Sequence, residues 1–193
     1  MVLMVLMMLA TALYRLLSHD WNATMSTENA LWNAAPFGAM ALFGGIYFSR
    51  KYALWVPLAA LAATDLALNR MMGYPLFHWP RMIDYSVFAL IGLLGMWVRS
   101  RGRGAKISAA IATPFAFYLI SNFGVWLFGL SLANAPYPKT FAGLAGCYAA
   151  GLPFLRGTLI GDWAFMAMFV AVVILVRKTS EERLGWVVAS AKA

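Results

Sequence analysis

The chain has 193 residues, 63% of them hydrophobic, 15% aromatic and only 11% charged, with a mean hydropathy of +0.73. Soluble domains carry about a quarter charged residues, so a water-soluble globule is effectively excluded, and too little length remains for a separate catalytic or nucleotide-binding domain. The net charge of +8 and pI near 9.9 would suit a nucleic-acid binder, but in so apolar a chain basic residues report membrane topology first, and no nucleic-acid partner is expected.

Seven apolar stretches follow in chain order: 1–17, 36–48, 52–68, 84–98, 107–132, 141–155 and 158–176. The first lacks a basic leader and is followed by Ser18-His19-Asp20, a poor cleavage context, so it is expected to be a retained helix rather than a signal peptide. Basic or turn-forming residues separate the others: Ser49-Arg50-Lys51, Asn69-Arg70, the run from Arg99 to Lys106, Asn134 to Pro138, and Arg177-Lys178. A helical span needs about 20 residues. Stretch 141–155 is short and holds three glycines and Pro153, so it fits a re-entrant or interfacial helix better than a span. The expected fold is therefore all-α: a polytopic, six-helix transmembrane bundle with an extra short outer-face or re-entrant helix. It forms a single domain over 1–178, followed by a tail over 179–193.

Charge sets the orientation. With six spans, one face collects Arg50, Lys51, Arg99, Arg101, Arg103, Lys106, Arg177, Lys178, Arg183 and Lys192 against Glu181 and Glu182, a net of +8. The other face balances Arg15, Arg70, Arg81, Lys139 and Arg156 with Asp20, Glu28, Asp65, Asp84 and Asp162. The positive-inside rule puts the first face and both termini in the cytoplasm.

The neutral outer face holds most residues that a lipid-facing helix does not need. Trp32, Tyr74, Phe77, His78, Trp79, Asn122, Tyr137 and Tyr148 gather there, and aromatic walls with a few polar groups are what a small-molecule pocket requires. An interfacial aromatic belt explains each residue singly just as well. Arg15, Asp65 and Asp162 fall inside apolar stretches. Because intramembrane charges cost about 2.5–3.5 kcal/mol each on insertion scales, Arg15 is expected to pair with Asp65 or Asp162, either beneath a pocket or as a ligand-free inter-helix ion pair or cap. Cys147, the lone cysteine, lies among small residues and reads first as a packed thiol. His78, between Pro75 and Pro80, reads as an interfacial polar residue or a metal ligand. No His-Glu-x-x-His, Gly-x-Ser-x-Gly, Walker or Cys-x-x-Cys pattern is present, so no enzymatic activity is expected.

Several strings also carry a family resemblance: Tyr14 to Leu17, Ala35 to Gly45, Val56 to Leu66, Asn122 to Trp126, Tyr137 to Tyr148, and Gly161-Asp162. Together they resemble a family of small bacterial six-helix membrane proteins of mostly unknown function. That family is similar to the substrate-binding S components of energy-coupling-factor vitamin transporters, including the solitary cobalamin type. The resemblance implies a bacterial inner-membrane protein that takes up a vitamin from the outer side, with an ATPase module or alone. No resident cofactor is implied. Cobalamin as the transported ligand would use an axial cobalt ligand, His78 or failing that Cys147. One departure is that the first stretch lacks the Ala-x-x-x-Ala face that such proteins use to dock the coupling subunit; Ala59 with Ala63 and Ala35 with Ala39 have that spacing instead. The alternative is a structural or assembly subunit without a ligand of its own.

Overall fold

The computed structural model describes residues 2–24, 36–73, 79–128 and 137–190, with backbone only at 2–5, 18–24, 72, 79–80 and 180–190. The described residues form six helices: α1 Val2–Thr24, α2 Phe37–Tyr47, α3 Trp55–Met72, α4 Trp79–Val98, α5 Arg103–Phe128 and α6 Phe141–Ser190. No strand occurs among them. Three segments among the described residues are long and apolar enough to cross a membrane: Arg81–Val98, Arg103–Phe128 and Phe141–Thr179.

The organising element is the shortest helix. Every residue of α2 from Gly38 to Ile46 is buried, and α2 packs against α3, α4, α5 and α6. A helix apolar on all sides belongs in a core, and at 1.5 Å per residue the 11 residues of α2 reach only about 16 Å. Glycines let neighbours approach its backbone. A Cβ on Gly45 would lie 2.3 Å from the Gly92 carbonyl oxygen, and one on Gly95 would lie 2.5 Å from that of Leu42. Between them Phe43 is fully buried, with the Phe169 ring of α6 5.1 Å away.

Contacts along the helices give their directions. Phe37 meets Phe88 while Gly45 meets Gly92 and Gly95, so α4 runs parallel to α2. Asp162 reaches Ala39 and Phe169 reaches Phe43, so α6 does too. Gly44 lies against Ala53 and Pro57 at the start of α3. α5 is antiparallel to both α4 and α6: Ser121 faces Asp84 and Phe117 stacks on Phe88, while Trp126 bonds Pro138 and Phe115 meets Trp163. Arg50, Lys51, the Arg99 to Lys106 run, Arg177 and Lys178 consequently share one end of the bundle, and Asp65, Asp84 and Asp162 lie toward the other.

The expected extra helix is not separate. Residues 141–155 and 158–176 belong to one helix, α6, which continues through Pro153. The glycines that suggested a break are packing positions: a Cβ on Gly151 would lie 2.4 Å from Asn122 Oδ1, and one on Gly143 would lie 2.0 Å from the Pro138 carbonyl oxygen. Pro153 is exposed, and the helix continues through it at the cost of one intrahelical bond. The outer segments also shrink. α3 continues to Met72, where Gly73 ends it in the left-handed region with φ 70° and its N–H on the Asn69 carbonyl. α4 begins at Trp79, consistent with Pro80 in the first turn.

Candidate functional site

Three polar arrangements surround the apolar core, and the first holds α2 at both ends. Pro36 offers no capping side chain there, and a buried helix terminus must satisfy its orphan backbone groups somehow. Asp162 supplies the cap from α6: its Oδ1 accepts the Ala39 N–H at 2.9 Å. Asp162 is 3% exposed, and a Cβ on Gly38 would overlap its Oδ2, at 2.1 Å, so glycine is required for the carboxylate to fit. At the other end Arg99 donates through Nε and Nη2 to the Gly45 carbonyl, at 3.1 and 2.6 Å, and through Nη2 to that of Phe48. An anion at the N-terminus and a cation at the C-terminus both match the helix dipole.

The second arrangement joins α1, α3, α4 and α5. Arg15 pairs with Asp65, donates to Thr64 Oγ1, and lies 4.4 Å over the Phe37 ring. Asp65 also accepts the Tyr85 hydroxyl at 2.8 Å and faces Arg81 Nε at 3.3 Å. Arg81 stands 3.7 Å from Asp84, whose other oxygen accepts the Ser121 hydroxyl at 3.2 Å. The two arginines and two aspartates sum to zero formal charge. Burial without net charge is how such groups persist in a low-dielectric interior.

The third is a cleft of about 170 Å³ between α4, α5 and α6. Asp84 lines it from α4, Phe117, Tyr118, Ser121 and Asn122 from α5, and Gly151, Phe154, Leu155 and Thr158 from α6. Asp84 is thus shared between the ion-pair layer and the cleft.

Among the residues expected from sequence, Asn122 lines this cleft. Tyr148 stands beside it, accepting the Tyr118 hydroxyl on its carbonyl at 2.6 Å and donating its own to the Leu119 carbonyl at 3.0 Å. Cys147 is buried, its thiol donating to the Asn122 carbonyl at 3.3 Å, and Tyr137 packs against Gly146. Arg15 and Asp65 come together, whereas Asp162 serves α2. Trp32, Tyr74, Phe77 and His78, and the side chain of Trp79, lie outside the described residues. Among those described, no group of three or more His, Cys, Asp or Glu side chains could hold a metal ion.

Sequence reasoning passed over Arg81, Asp84, Tyr85, Ser121 and Arg99. The signal for the first three was the Arg81-x-x-Asp84-Tyr85 spacing, which puts all three on one helix face. Starting the span at Asp84 rather than Trp79 left Arg81 in a loop and hid it. Arg99 reads as one of a run of loop cations, and nothing local separates it from Arg101 or Arg103.

Among the described residues the fold is therefore all-helical, with three helices long and apolar enough to cross a membrane, a partly buried ion-pair layer and a small polar cleft. The chain belongs to DUF6580, a family of unknown function, whose model matches residues 1–184. No curated protein and no solved structure matches it. The family model carries no link to the S components of energy-coupling-factor transporters.

Proposed function

We propose that this chain is a multi-pass inner-membrane protein that binds a small organic molecule from the outer side and takes it up in the manner of an S component, alone or with an ATPase module. The observation that carries the reading is the cleft backed by ion-paired residues, since intramembrane ionisable groups are retained where they serve a pathway or a site. Large apolar side chains, among them Leu9, Leu13, Ile107, Ile111, Leu119 and Ile174, cover the outside of the bundle, which suits contact with lipid and not with water. Eight basic residues at one end, outnumbering Glu181 and Glu182 in the same stretch of α6 as Arg177 and Lys178, favour that end as cytoplasmic.

The cleft favours a ligand smaller than the one the resemblance suggests. Small-molecule sites usually enclose about 300–1,000 Å³, and a corrin exceeds 170 Å³ several times over. Cobalamin would have to be held by residues 74–78 and Trp32, with His78 as its cobalt ligand. A second reading, a subunit that assembles with another membrane protein, draws on Ala59 and Ala63, which are exposed on α3 at the spacing that lets helices approach closely; Ala39 is buried and unavailable.

Purified protein should show a thermal shift with at least one compound from a panel of vitamins and small amines, and proteoliposomes should accumulate it. Silence across the panel, with the protein folded, would sink the uptake reading in favour of the assembly subunit.

A further inference from the structure

We infer that the cleft between α4, α5 and α6 takes a small organic cation, a primary ammonium or amidinium on a flat apolar body. The inference rests on the binding reading above and names the ligand class of that site.

The donors in the cleft are almost all committed. The Tyr118 hydroxyl donates to the Tyr148 carbonyl at 2.6 Å, Ser121 to Asp84 at 3.2 Å and Thr158 to the Phe154 carbonyl at 3.1 Å. Asn122 donates one amide N–H to the Tyr118 carbonyl at 2.8 Å, leaving its second N–H as the only uncommitted side-chain donor of the cleft among the described residues. Helical N–H groups are used within the helices. Each hydroxyl oxygen retains lone pairs, and a carboxylate accepts on both oxygens, so the cleft offers acceptors and asks for donors.

Charge points the same way. Among the described residues Asp84 is the only charged one lining the cleft. Arg81, its one ion-pair partner among the described residues, stands outside that lining, 3.7 Å from Asp84 and drawn toward Asp65 at 3.3 Å. A ligand ammonium can therefore meet Asp84 directly, forming a charge-assisted hydrogen bond. Phe117 and Phe154 supply apolar walls to this cleft of about 170 Å³.

Benzylamine, benzyl alcohol and benzoate share a body and differ in charge and donor capacity. Titrated into the full-length protein in nanodiscs, benzylamine should bind about tenfold tighter than benzyl alcohol, and benzoate should not bind. Asp84→Asn keeps an acceptor for Ser121 while removing the charge and replacing the second oxygen with an NH2 donor, and should bring benzylamine to the level of the alcohol. The wild-type comparison decides the matter even where that variant fails to fold. Equal or tighter binding of the alcohol or of benzoate, or benzylamine affinity unchanged in a folded Asp84→Asn protein, overturns the cationic ligand but leaves uptake standing. Failure of benzylamine beside binding of a neutral vitamin does the same. Failure of every compound removes both.

Discussion

The two ends of the bundle carry similar residues under opposite rules. At the basic end Arg50, Lys51, Arg101, Arg103, Arg177 and Lys178 are exposed and need no partner; Arg101 merely lies 3.3 Å over the exposed Trp97 ring. At the opposite end Arg15, Asp65 and Asp162 are buried; Arg15 and Arg81 balance Asp65 and Asp84, and Asp162 faces the backbone of α2. Solvent or lipid headgroups stabilise the first set, whereas only protein atoms can stabilise the second. Position in the bundle, not residue type, decides which charges are structural. Arg99 is the exception at the basic end, because it reaches back to cap α2.

Breaking the balanced end should have the largest effect. Asp65→Ala takes from Arg15, Tyr85 and Arg81 the carboxylate they share, and removing one partner of a buried ion pair typically costs about 3–5 kcal/mol. A large fall in thermal stability in detergent is expected, with partial recovery when Arg15→Met is added. No loss in the single variant would show that this end is solvated after all.

The Gly45 crossing comes next. Gly45→Ala places a methyl 2.3 Å from a backbone oxygen of α4, and forced overpacking costs about 1–3 kcal/mol. Unfolding in denaturant should report that loss, while the same change at Gly102, which meets nothing within 4 Å, should be silent.

Asp162→Ala should cost about 1–2 kcal/mol as α2 loses its cap. Asp162→Asn, which keeps an acceptor, should recover part of it. Equal melting temperatures for the two variants would mean that capping is not what the carboxylate does. The smallest effects test the basic end against itself. Arg99→Ala should cost about 1 kcal/mol through the uncapped C-terminus of α2, and Arg101→Ala no more than about 0.5 kcal/mol. A melting comparison that reversed this order would erase the distinction drawn for Arg99.

Much of the architecture was legible in the chain. Five of the seven apolar stretches correspond to one helix each, with boundaries that moved by up to seven residues, and the other two fused into α6. That error came from reading Gly143, Gly146, Gly151 and Pro153 as breakers; a glycine that ends an isolated helix and one that admits a neighbouring helix look alike in sequence. The site was less legible. Arg15, Asp65 and Asp162 stood out because charge is rare in such stretches, but the expected outer aromatic cluster falls largely outside the described residues. The cleft forms from Asp84, Asn122, Ser121 and Thr158 among others, and no local pattern sets Ser121 or Thr158 apart.

What the sequence by itself determined was the helical, lipid-compatible composition and the gathering of basic residues in loops on one side, since hydropathy and loop charge are sums over local segments. What only the tertiary structure decided was which carboxylate meets which cation: Asp65 for Arg15, Asp162 for the backbone of α2, and Asp84 for the cleft. Those choices depend on helix direction, register and the close approach that glycines allow. A pairing between residues 50 or 123 positions apart leaves no trace in either neighbourhood until the helices pack.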